Sequence, residues 1–136
     1  MLKKLLIKNL AIIDDLEIKF NSSFNVITGE SGSGKTIIYR SINYLFGNIF
    51  NKDDIRKNHS QCQISGFIDI ENKTHELSRI FSKKSTRNLI NGKNVKRSEY
   101  IDFINNLWES YGQHEQQLLL DESKHIIYLD IFANNE

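Results

Sequence analysis

Along the chain, short apolar runs alternate with charged residues at a period near two, giving way twice to helical spacing. Leu5–Leu10 and Leu16-Glu17-Ile18-Lys19-Phe20 predict two strands, the second alternating apolar and charged positions, and their closeness predicts an antiparallel pair. Phe24-Asn25-Val26-Ile27-Thr28 predicts a short strand entering a glycine-rich turn. Ile37, Ile38, Ser41, Ile42 and Leu45 then fall on one helical face, ending near Gly47. Farther on, Cys62, Ile64, Ile68 and Ile70 alternate with mostly polar residues. Leu77–Phe81 and Asn88–Ile90 read as extended, and Asn91-Gly92 is a hairpin signal. Ser98 is a candidate cap for a helix carrying Tyr100, Ile101, Phe103, Ile104, Leu107 and Trp108, and a second stripe runs through Ile127, Tyr128, Ile131 and Phe132. Both stripes read as core. The pattern is strand, loop, helix, then a β-rich middle third: an α/β chain with an antiparallel β portion.

Length and composition narrow this further. A chain of 136 residues with 39% hydrophobic and 26% charged residues suits one globular domain or one piece of a larger one. No proline, repeat or Gly/Ser linker marks an internal boundary, so 1–136 reads as one unit. Basic and acidic residues nearly balance, 18 against 17, for a net charge of +1. That argues against a globally basic nucleic-acid binder, yet the charge is unevenly placed. Arg79, Lys83, Lys84, Arg87, Lys93, Lys96 and Arg97 follow one another with no intervening acid, whereas Glu99–Glu136 is strongly acidic. The basic stretch lacks stacking aromatics apart from Phe81, so a solvated hairpin is the preferred reading over a DNA contact. Cys62, being single, forms no internal disulfide, and no apolar run approaches the roughly 20 residues of a membrane span. The expectation is a soluble chain of a reducing, cytoplasmic compartment, with no membrane partner.

Gly29-Glu30-Ser31-Gly32-Ser33-Gly34-Lys35-Thr36 matches the phosphate-loop pattern completely. Glycines let successive backbone N–H groups turn inward around a polyphosphate, and the next helix adds the positive end of its dipole. Lys35 is the candidate for the terminal phosphates and Thr36 for a Mg²⁺ ligand. Three other patterns are weaker. Asn51-Lys52-Asp53-Asp54 fits a guanine-reading motif but follows no strand, and reads as a solvated loop. Ile126-Ile127-Tyr128-Leu129-Asp130 ends like a Walker B strand, but Ile131 stands where the catalytic Glu would follow, and an amphipathic helix is the simpler reading. Gly32-Ser33-Gly34 is no dinucleotide fingerprint, since Ile37 occupies the third glycine position. His59, His75 and His125 lack partners at zinc-ligand spacing.

Taken with the segment Ile7-Lys8-Asn9-Leu10-Ala11-Ile12-Ile13-Asp14-Asp15-Leu16, with Ile90-Asn91-Gly92, and with Tyr111-Gly112-Gln113-His114-Glu115-Gln116-Gln117-Leu118-Leu119, the loop makes the whole chain resemble the N-terminal part of the RecN family. That family comprises SMC-like ATPases of bacterial DNA double-strand-break repair and recombination. The resemblance implies a P-loop NTPase fold of the ABC-type ATPase head, here the N-terminal lobe with its antiparallel β subdomain. It implies ATP and Mg²⁺ as cofactors, held by Gly29, Glu30, Ser31, Gly32, Ser33, Gly34, Lys35 and Thr36. Gln113 would sit at the Q-loop position, holding Mg²⁺ and the attacking water, and Arg56 resembles a family arginine near the nucleotide. A glutamine carbonyl can ligate a metal and orient water. His114 and Glu115 are assigned no catalytic role.

The departures matter equally. No Leu-Ser-Gly-Gly signature, Walker B Asp-Glu pair or long coiled coil is present. The chain therefore reads as an N-terminal fragment, from a shortened gene or a trimmed chain, that lacks turnover alone. Its implied partners are a C-terminal head segment, a second head and, through the parent protein, DNA and the nucleoid. The rival readings are another P-loop enzyme such as a small kinase, and a non-enzymatic DNA- or protein-interaction module.

Overall fold

The computed structural model describes residues 1–70 and 72–105. Strands β1 (Leu2–Leu10), β2 (Ile13–Lys19), β3 (Gln61–Ile70), β4 (Lys73–Ser82), β5 (Thr86–Ile90) and β6 (Lys93–Val95) form one sheet in the order β2-β1-β3-β4-β5-β6. Every pairing is antiparallel. Helix α1 (Lys35–Leu45) follows the glycine-rich loop, and α2 (Arg97–Ile104) follows β6. The early strand pair expected from the alternation is present, with Ile7 opposite Leu16 and Leu5 opposite Ile18. The Asn91-Gly92 turn joins β5 to β6 with positive φ at both residues, 50° and 75°, the conformation that suits the right-handed twist of a two-residue hairpin.

One face of the sheet carries the core. Leu5 and Ile7 of β1, Cys62, Ile64 and Ile68 of β3, and Leu77 and Phe81 of β4 are buried together with Tyr44 and Leu45 of α1. Close approach of helix to sheet depends on Gly66. It lies opposite both Leu5 and Leu77, and a methyl group there would strike the Leu45 side chain. Tyr100 and Ile104 of α2 close one end of this core, both being buried.

Two expectations need correction. Phe24–Thr28 is not a strand, and Phe24, Val26 and Ile27 are 84%, 65% and 43% exposed. An extended segment becomes a strand only when a neighbour takes up its outward N–H and C=O groups, and no described strand lies alongside this one. Instead the Asn21 amide donates to Asn25 Oδ1 (2.8 Å) and Asn25 Nδ2 donates to Asn21 O (3.1 Å), a local turn of the kind asparagine offers in competition with a ladder. The cap of α2 is also displaced: Lys96, not Ser98, is the N-cap, and Ser98 lies within the first turn. Glu99 provides the reason. Its carboxylate accepts from the Lys96 amide at 2.9 Å, satisfying a backbone donor from three residues inside the helix. Leu107, Trp108 and the stripe from Ile127 to Phe132 lie outside the described residues.

Candidate phosphate-binding loop

The loop is built to present donors. Gly32 and Gly34 have φ of 83° and 97°, a region that side chains disfavour, and Gly34 is the left-handed N-cap from which α1 starts. The Gly34 carbonyl accepts from both Ile37 N and Ile38 N at 3.0 Å. No side chain caps this helix and no acid sits in its first turn, so its orphan N–H groups and the positive end of its dipole remain available to an anion. Lys35 Nζ reaches back across the loop and donates to Gly29 O (2.5 Å), Glu30 O (2.6 Å) and Ser33 Oγ (3.3 Å). The ammonium therefore lies among the residues of the motif, where it would meet a phosphate. Ser31, Gly32, Gly34, Lys35, Thr36 and Ile37 line a cavity of about 230 Å³ with no carboxylate among them. This is below the roughly 300–1,000 Å³ of pockets that enclose whole small molecules, and so suits phosphate groups. Thr36 is exposed at that cavity, where its hydroxyl could serve a hard cation such as Mg²⁺, which takes oxygen ligands.

The neighbouring elements hold the loop helix. Arg40 and Tyr44, one turn apart on α1, converge on Asp54. Arg40 Nη1 lies 2.9 Å from each Asp54 carboxylate oxygen, and Tyr44 Oη donates to Oδ2 at 2.6 Å. Burial, followed by the Asp54 hydrogen bond and charge, raises the pKa of the Tyr44 phenol. Asp54 also accepts from the Ala11 amide through its backbone oxygen (2.7 Å), tying α1 to the β1–β2 turn. Asn51–Asp54 was expected to be a solvated loop, and this is a further correction. Asn51 Oδ1 accepts from Asp53 N (3.1 Å) at the start of a 3₁₀ turn over Lys52–Asp54, and Asp54 is only 8% exposed. Sequence reasoning missed this residue because its partners lie 14 and 10 positions earlier.

Arg56 does not line the loop cavity. Its Nη1 donates to Ile12 O (2.6 Å), and Nε lies 3.9 Å from Asp14 Oδ1. Ile12 in turn lies near Gly34, where an added Cβ would come 3.8 Å from Ile12 Cδ1. Arg56 thus holds the backbone of Ile12, a residue that lies between it and the loop. Gln113, His114 and Glu115 lie outside the described residues.

A family model, AAA_23, described as an AAA domain, matches residues 4–134. The chain belongs to the AAA domain family. It is similar over its whole length to DNA repair protein RecN of Xylella fastidiosa (29% identity, 28% of that protein) and of Bacillus subtilis (31% identity, 27% of that protein). The Synechocystis RecN is 33% identical over 98% of the chain. The RecN resemblance carried by the motif blocks is therefore borne out, and the chain spans about a quarter of the length of these relatives. Among solved structures, the recombination mediator protein RecF, in the form named RecF-ATPrS, superposes with a TM-score of 0.67 at 16% identity, covering 74% of this chain and 29% of RecF. The SMC head domain from Thermotoga maritima also gives 0.67, at 23% identity, covering 75% and 41%. The fold is that of these P-loop, ABC-type ATPase heads, and membership of the family implies a nucleotide-binding site. Among the described residues, no helix is long and apolar enough to cross a membrane.

Proposed function

We propose that residues 1–136 form the N-terminal lobe of a RecN-like ATPase head and bind ATP with Mg²⁺ in DNA double-strand-break repair and recombination. The observation that carries this reading is the placement of the Lys35 ammonium within a loop whose glycines open onto the uncapped start of α1. In it, Gly29 to Gly34 supply backbone donors, Lys35 binds the terminal phosphates and Thr36 contributes its hydroxyl to the metal. Mg²⁺, when bound, neutralises phosphate charge. Gln113 completes the metal site and orients water, and Arg56 supports the nucleotide side of the loop through Ile12. The acidic metal ligand, general base and signature residues come from a C-terminal head segment and a second head, so this chain alone binds without turning over. DNA is engaged by the assembled protein, in the bacterial cytoplasm at the nucleoid.

Titration of the chain with ATP and Mg²⁺ by calorimetry tests this reading, using Lys35→Ala. A hydrogen bond to a charged group is worth about 1.5–3 kcal/mol, so the variant should bind some tens of times more weakly while unfolding at the same urea concentration. A variant that binds ATP as tightly as the unmodified chain overturns the assignment of the loop.

A further inference from the structure

A second cavity, of about 250 Å³, shares no residue with the phosphate loop. Lys52, Lys84, Arg79 and Arg97 contribute to its lining, with the hydroxyl residues Ser82, Ser85 and Thr86, and no carboxylate does. Its floor is unusual, because Arg79 is 2% exposed and has no carboxylate partner among the described residues. Nε donates to Asn88 Oδ1 (2.9 Å), and Nη1 donates to Tyr44 O and to Asn48 O (3.1 Å). These acceptors are neutral, so the hydrogen bonds hold the guanidinium without cancelling its charge. Burial, the largest cause, together with the nearby Arg97 charge and against an opposing contribution from Tyr100, lowers the pKa of Arg79 to about 10. The rim is held in shape by the Ser82–Ser85 turn, in which Ser82 Oγ accepts from Ser85 N (3.0 Å) and Lys84 N (3.3 Å). Arg97 is anchored by a bond to Gly47 O (3.3 Å). Asp53, next to Lys52, does not reach the cavity.

We propose that this pocket binds a phosphate group of an anionic ligand. Converging cations with fixed hydroxyls and no acid match the chemistry of phosphate recognition. The cavity is below the usual size for a whole nucleoside ligand, so the group enters as a backbone phosphodiester of nucleic acid or as free phosphate. The nucleic-acid source rests on the DNA-repair reading above; the pocket chemistry does not.

The test uses the full chain carrying Lys35→Ala, so that anion binding at the phosphate loop is weakened and is the same in every variant compared. Two triple variants remove the same charge: Lys52→Gln, Lys84→Gln and Arg97→Gln at the pocket, against Lys8→Gln, Lys19→Gln and Lys73→Gln elsewhere. Thermal unfolding checks that both are folded. A short DNA duplex is titrated across a salt series, and inorganic phosphate is titrated while the amide resonances of Ser82 to Arg87 are followed. The pocket variant should lose about tenfold or more in duplex affinity at about 50 mM salt and flatten the salt dependence by roughly 0.9 for each phosphate contact removed, with the other variant close to unmodified. Pocket-dependent binding of the duplex alone identifies a backbone phosphodiester, and pocket-dependent shifts with inorganic phosphate identify free phosphate; either supports the proposal. Equal losses in the two variants, or no binding of either probe, overturn it. Failure here leaves ATP binding by the unmodified chain untouched, so the two readings fail separately.

Discussion

The sheet and the segment that feeds the phosphate loop are both rich in apolar residues, yet they end in opposite environments. In β4, Leu77, Arg79 and Phe81 are all buried, and the charged member is as deeply enclosed as the hydrocarbons around it. Between Asn21 and Gly29, Phe24, Val26 and Ile27 face solvent. Hydrophobicity alone therefore does not decide burial. The strands of the sheet have neighbours that complete their ladders, and Arg79 has acceptors at the end of a helix; the segment before the loop has neither among the described residues. Arg79 lies directly opposite Asn88 across the β4–β5 ladder, and its Nη1 meets carbonyls at the C-terminal end of α1, where the helix dipole is negative. It also lies over the Phe81 ring at 4.8 Å and the Tyr100 ring at 5.6 Å. Tyr100 Oη donates to Leu45 O at 2.7 Å, so the end of α1 is closed by side chains distant in sequence.

The largest effect expected within the sheet follows from that arrangement. Arg79→Met keeps most of the aliphatic stem but takes the Arg79 donors from the Asn48 carbonyl and the Asn88 amide oxygen, and leaves the Tyr44 carbonyl with the Gly47 amide as its remaining donor. Unfolding in urea should show a loss of about 3 kcal/mol, the scale of buried acceptors left without donors. If the loss is under about 0.5 kcal/mol, the arginine does not hold the helix to the sheet.

Cys62 gives a smaller effect, read through pH. Burial first, and the Asp54 charge second, push its thiol up to about 12 from an ordinary 9.0. The folded chain then holds this proton at pH values where the unfolded chain releases it. The resulting stability is fully present below pH 9.0 and is lost as pH rises toward about 12. Between pH 9 and 10 the decline should approach a limit of about 1.4 kcal/mol per pH unit, and Cys62→Ala should flatten it. Above that window the lowered pKa of Arg79 acts in the opposite direction, so the lower window is the diagnostic one. An unchanged slope in Cys62→Ala would separate the alkaline loss from the sheet interior.

What could be read in the sequence follows the range of the interactions. The β1–β2 pairing, the Asn91-Gly92 turn, helix α1 and the phosphate loop are specified by near neighbours, and all were legible. Phe24–Thr28 was misread because a short apolar run before a glycine-rich turn says nothing of whether a partner strand lies beside it. Asp54 and Arg79 were misread as members of a polar loop and a solvated hairpin because their partners are remote in sequence. For Arg79 a signal did exist: it stands at a core-facing position of the Leu77-Arg79-Phe81 alternation, which places it inside if the strand is half-buried. For Gln113 only the resemblance spoke, and the residue lies outside the described part of the structure.

The smallest effect is the sharpest test of the opening comparison. Phe24 and Val26 are large apolar residues, and in the sheet truncating such a side chain costs about 2–5 kcal/mol through lost burial and the cavity left behind. At 84% and 65% exposure they have little burial to lose. The double substitution Phe24→Ser and Val26→Thr should therefore leave the urea midpoint of the 136-residue chain nearly unchanged, within about 0.5 kcal/mol for each substitution. It should also raise solubility, since neighbouring exposed apolar residues promote association. A cost above about 2 kcal/mol would mean that this segment is packed in the chain in solution as the sheet is. The contrast between the two regions would then fail at its weaker end, and the loop would be anchored by burial as well as by its glycines and the Asp54 contacts behind it.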